Sequence, residues 1–105
     1  MTTISVWRAA GDFAESKEVA KKIREKEILP RLRKGKEVTL DFTGVSIATQ
    51  SFVHALIAEA IRQNGGEALD RVMFSGCNID VRSVIEIVVS YCQEDWSEGT
   101  PSEFL

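Results

Sequence analysis

The alternation of apolar and polar positions divides the chain into three strand–helix units. Ile4-Ser5-Val6-Trp7 alternates as a short half-buried strand should, and Gly11 follows as a break. Asp12 and Glu15 have capping-box spacing, with Ser16 as a second N-cap candidate. Beyond them Val19, Ala20, Ile23 and Ile28 recur at helical spacing among Lys and Glu residues, until Pro30. A proline inside a helix costs about 3 kcal/mol, so the helix is expected to end or kink near Leu29. A short turn carrying Leu32 then runs to Gly35.

Val38-Thr39-Leu40-Asp41-Phe42 is the clearest strand, because Val, Leu and Phe at period two require one face to be core. Thr43-Gly44 makes a turn and Val45-Ser46-Ile47 continues extended. Thr49 or Ser51 then caps a helix reaching Asn64, where Gly65-Gly66 stops it. Phe52, Val53, Leu56, Ile57, Ala60 and Ile61 form a broad apolar band, with His54, Ala58 and Arg62 opposite. Val72-Met73-Phe74 reads as a third strand, and Asp80 caps a following helix. The β-branched run from Val84 to Val89 leaves a strand as the alternative there. Such alternation predicts an α/β layer fold with the second and third strands parallel. Residues 1–95 form a single domain on this reading, and residues 96–105 a polar C-terminal tail that Trp96, Phe104 and Leu105 can pin.

Length and composition add limits. A chain of 105 residues with 44% hydrophobic residues holds one core without metal or disulfides. No apolar run reaches membrane-span length and the start lacks a signal-peptide pattern, so a cytoplasmic location is expected. Cys77, Cys92 and His54 are the only Cys and His residues, one short of a structural zinc set. No metal or other cofactor is expected.

Charge is unevenly spread. Residues 1–37 carry ten Lys/Arg against six Asp/Glu, or +4, and residues 38–105 carry three against ten, or −7. The basic run from Lys17 to Lys36 invites a nucleic-acid reading, but a pI near 5.2 and interleaved Glu18, Glu25 and Glu27 argue against it.

The segment Leu40-Asp41-Phe42-Thr43-Gly44-Val45-Ser46-Ile47, followed by Gln50-Ser51-Phe52 opening a helix, resembles the STAS domains (sulfate transporter and anti-sigma-factor antagonist). It resembles more closely the STAS-like family of uncharacterised bacterial and archaeal proteins. The resemblance implies an STAS-like fold, a small mixed sheet with helices packed mainly on one face. It also implies a non-enzymatic regulatory module whose protein partner is a kinase-type ATPase regulator, with a homo-oligomer left open. In the better-known relatives the phosphoacceptor lies in an Asp-Ser-Ser-Gly-Leu segment, which falls here on Thr49-Gln50-Ser51-Phe52-Val53. Gln50 occupies the acceptor position, so Ser51 and Thr49 are the remaining candidate phosphoacceptors.

The expected binding site is therefore Asp41, Thr49, Gln50, Ser51 and Phe52, taking a protein partner or a nucleotide or other anion at the helix N-terminus. Catalytic alternatives are thinner. Four residues intervene between Cys77 and Arg82 rather than the five of a cysteine-phosphatase loop, and Gly76 stands where that loop has His. His54 faces away from the apolar band, and no Walker, GxGxxG, HExxH or GxSxG pattern occurs. A small thiol enzyme using Cys77 ranks last.

Overall fold

The computed structural model describes residues 2–64 and 70–96, beginning with β1 (Thr2–Ser5). The first strand lies two residues earlier than the alternation predicts. Ser5 Oγ accepts the Arg8 N–H at 3.3 Å and caps α1 (Val6–Ala10), so Val6 and Trp7 are helical. Gly11, at φ 80°, ends that turn. The chain then forms β2 (Phe13–Ala14), which replaces the expected Asp12–Glu15 capping box.

Ser16 is the cap of α2 (Lys17–Ile23), its Oγ accepting the Val19 N–H at 3.3 Å. The interruption expected near Leu29 takes the form of a π-helical segment, Arg24–Ile28, leading into α3 (Leu29–Arg33). Pro30 sits in the first turn of α3, directly after the π-helical segment. Next come β3 (Val38–Asp41) and β4 (Ile47–Ala48), joined by the Thr43-Gly44 turn. Thr49 caps α4 (Gln50–Val53), which continues through a second π-helical segment, His54–Ala58, into α5 (Glu59–Asn64).

After β5 (Val72–Ser75) the cap is Asn78 rather than Asp80, its Oδ1 accepting the Val81 N–H at 2.8 Å. Val84 to Val89 lie within α6 (Ile79–Trp96), so that run is helix. Trp96 is the last described residue, and the tail positions Phe104 and Leu105 lie outside the described residues.

β1, β3 and β5 form one parallel sheet in that order, with β3 central. Thr2, Val38 and Val72 share one register row, and Ile4, Leu40 and Phe74 another. These rows face the helices and supply core residues, with Leu40 fully buried. The alternate rows, Thr3-Thr39-Met73 and Ser5-Asp41-Ser75, face the other side and are exposed or half-buried. Every strand pairing among the described residues is parallel, so the antiparallel pairing allowed by a mixed sheet is not found there.

The apolar band of α4–α5 lies between α2–α3 on one flank and α6 on the other. Contact from both sides explains why Ala58 is buried at 4% exposure instead of joining the polar stripe with His54 and Arg62. The two π-helical segments face each other. Arg24 in the first donates from Nη1 to the carbonyl of Ala55 in the second at 2.7 Å.

One glycine closes the junction between β3 and β5. Gly76 has φ +67°, and a Cβ there would meet the Thr43 Oγ1 at 2.1 Å and the Asp41 Oδ1 at 2.7 Å. Gly35 has a similar φ of +74° but open space around it. Gly35→Ala should therefore cost only the left-handed backbone penalty, about 1–2 kcal/mol. Gly76→Ala adds a clash and should cost about 2–4 kcal/mol in urea unfolding. Equal losses at the two positions would show that the junction relaxes freely.

Candidate functional site

All three strands of the sheet are parallel, so the segments following them open at one edge. At that edge the Asp41 carboxylate is held by its own turn. Oδ1 accepts the Thr43 hydroxyl at 2.6 Å and the Thr43 N–H at 3.0 Å. The Phe42 N–H donates to the Ser75 carbonyl at 2.8 Å, extending the β3–β5 ladder past Asp41. The Thr43 hydroxyl first, then its N–H, hold the Asp41 carboxyl below its ordinary value, the Ser75 hydroxyl adding to this against partial desolvation. Asp41 is thus a loop-bonding residue.

The mini-sheet β2–β4 sets the other half of the site. Phe13 pairs with Ile47 and Ala14 with Ala48, in parallel register. The Ser46 N–H donates to Asp12 O at 2.7 Å, and the Thr49 N–H to Ala14 O at 3.0 Å. Each mini-strand ends at a cap, Ser16 for α2 and Thr49 for α4. The pairing therefore sets two helix N-termini side by side, and their orphan N–H groups and partial positive charges converge. A cleft of about 310 Å³ lies there, lined in part by Lys17, Gln50, Ser51, His54 and Tyr91.

The expected site residues divide between these places. Thr49 is the helix cap, its Oγ1 accepting the Phe52 N–H at 3.1 Å. Gln50 and Ser51 are exposed at the cleft. Phe52 is not available to a partner. With Thr49 as cap, it points inward and is fully buried, so its role is in the core. Asp41 belongs to the neighbouring cluster with Thr43, Ser75 and Gly76, and does not line the Gln50–Ser51 cleft.

The sequence reading missed the apolar rim. Trp7, Phe13 and Ile47 are each 49% exposed, and Ile79 is 79% exposed. Phe13 and Ile47 are register partners, and the Trp7 ring lies over Gly44, 3.0 Å from where a Cβ would sit. The Asn78 amide donates to the Ser46 carbonyl at 2.9 Å, bringing the start of α6 to the same edge. The available signal was Phe13 beside Ala14 between polar residues, a run too short to read as a strand.

Cys77 is half-buried beside this edge, its thiol donating to the Ser75 carbonyl at 3.7 Å. Burial pushes the thiol pKa up, Arg82 acts against it, and Asp41 adds to the rise. The Cys92 side chain lies outside the described residues. Among the described residues, no group of three or more His, Cys, Asp or Glu is placed to hold a metal ion. None of their helices is long and apolar enough to cross a membrane.

A one-sided helical layer on a small parallel sheet, with a polar strand–turn–helix edge, defines the class as an STAS-like α/β domain. The chain belongs to the family described as STAS-like domain of unknown function (DUF4325), which matches residues 19–82. Comparison with curated proteins and with solved structures gives no match.

The Asp41 geometry sets a pH dependence. A carboxyl whose folded pKa is lowered contributes stability above its unfolded value, about 3.9, and loses it as pH falls through the folded value. Asp41→Asn should be less stable than wild type at pH 7, and the gap should close as the pH is lowered below about 4. Urea midpoints of both proteins across this range check it. A gap that persists undiminished at the acid end would assign the loss to the amide's geometry instead of the charge.

Proposed function

We propose that this STAS-like domain is a non-enzymatic, cytoplasmic regulatory module that binds a protein partner through the turn and helix start at residues 49–52, by way of the exposed Gln50 and Ser51, and through the apolar rim beside them. The carrying observation is the exposed group Trp7, Phe13, Ile47 and Ile79 on segments bonded to the β4 stretch that leads into the exposed Gln50 and Ser51. Exposed aromatic and aliphatic side chains rimmed by polar groups suit protein association. A kinase-type ATPase regulator is the partner class implied by the STAS resemblance. Ser51 is accessible as a phosphoacceptor, whereas the Thr49 hydroxyl is engaged in capping. A phosphate at Ser51 would add roughly −1.5 to −2 charges beside Lys17 and two helix N-termini.

The test is reconstitution of a complex between purified chain and a purified candidate ATPase regulator. Ile47→Asp and Ser51→Asp should each weaken it by about tenfold or more, equivalent to roughly 1.4 kcal/mol. A complex indifferent to both substitutions would place the interface elsewhere.

A second reading has its own support in the converging starts of α2 and α4 with Lys17 between them: a nucleotide or other small anion bound in the same cleft. A thermal-shift panel of nucleotides separates the two readings. An anion at about 100 times its Kd adds roughly 2.7 kcal/mol, and Lys17→Glu should remove that gain.

A further inference from the structure

β1 is an edge strand of the three-stranded sheet, and among the described residues no strand pairs with its outer side. Natural edges are blunted by charges, prolines or bulges. Thr2-Thr3-Ile4-Ser5 has none of these: its register against β3 is continuous and two of its four residues are threonine. In a parallel ladder, alternate N–H and C=O groups of such a strand point away from its one partner. They remain available for pairing.

A groove of about 400 Å³ runs along this edge, between β1, α1 and the junction of α2 with its π-helical segment. Ile4 and Ile23 line it as nearly buried residues, and Arg8, Lys22 and Lys26 stand around it with a single carboxylate, Glu27. None of the three cations has an ion pair among the described residues. An unpaired strand edge, an apolar floor and three free cations thus coincide.

We infer that the β1 edge is a second docking site, taking an extended acidic peptide that adds as a strand to β1 and sets its carboxylates against Arg8, Lys22 and Lys26. Backbone pairing holds the segment and the alternating side chains choose it. Charge complementarity selects this occupant over two others. A symmetric pairing of β1 with β1 in a second copy would bring the same three cations together across the two-fold axis. A nucleic acid has no peptide backbone to pair with β1 and would leave the strand edge unpaired. This surface is separate from the Gln50–Ser51 cleft, so either assignment can fail without the other.

The experiment is an NMR titration of the full chain, labelled with ¹⁵N, with a capped synthetic peptide of three Glu-Val-Glu-Thr repeats. Its counterpart with Lys in place of Glu serves as control. Saturable shifts should concentrate on the amides of Thr3 to Ser5 and around Arg8, Lys22 and Lys26, with slowed hydrogen exchange on β1. Combined Arg8→Glu, Lys22→Glu and Lys26→Glu should weaken binding by about tenfold or more and turn the preference toward the Lys peptide. The same reversal at the exposed Lys34 and Lys36 should change it by less than about twofold, and preserved spectral dispersion reports that each variant is folded. No saturable shift up to about 1 mM peptide overturns the proposal. So do shifts centred on residues 31–36, concentration-dependent β1 shifts without peptide, or equal binding of an oligothymidylate at the same residues.

Discussion

A parallel ladder imposes one requirement on everything else in this domain: each strand must be followed by a connection that returns the chain to the starting edge. For β1 to β3 that return is made by α2 and α3, and for β3 to β5 by α4 and α5. Both returns have to cover the row of Ile4, Leu40 and Phe74, because that face is apolar and the Ser5-Asp41-Ser75 row is not. The helical layer is therefore one-sided. Parallel sheets are commonly covered on both faces, and here the polar alternate positions let the second face meet solvent.

The same requirement assembles the candidate site. Strand ends and helix starts accumulate on one side, and β2–β4 adds a local constraint by pairing the residues just before two caps. Two backbone bonds, from the Ser46 and Thr49 N–H groups, lock the starts of α2 and α4 together. Asn78 then ties the start of α6 to the carbonyls of Val45 and Ser46. Three helices begin at one edge because short segments between strand and helix are bonded to one another.

Elements fixed by side-chain periodicity were legible in the sequence. Val38 and Leu40 alternate with Thr39 and Asp41 as the sheet requires, and the apolar band from Phe52 to Ile61 is the face that packs. Elements fixed by long-range backbone bonds were not legible. β2 and β4 have two residues each, and their existence depends on partners about 34 positions apart (13 to 47). Val6 and Trp7 fit a strand alternation as well as a helix start, and only the Ser5 cap decides between them. The π-helical segments add a residue per turn without a compositional mark. Phe52 shows the same limit at the site: its motif position is legible, but its direction follows from which of Thr49 and Ser51 is the cap.

The departure at Gln50 takes on a physical meaning in this frame. Gln50 opens α4 beside Lys17, and a neutral amide there adds no negative charge; the first turn of α2 holds Glu18, and that of α4 holds no acidic residue. On the proposed function, negative charge at the start of α4 would come from a modified Ser51, a bound anion or an acidic group of a partner. The apolar rim of Trp7, Phe13 and Ile47 distinguishes among these sources, since a small anion makes no use of it. A protein surface offering an apolar anchor beside an acidic group uses both features at once. That joint use is why the partner reading accounts for more of the edge than the anion reading does.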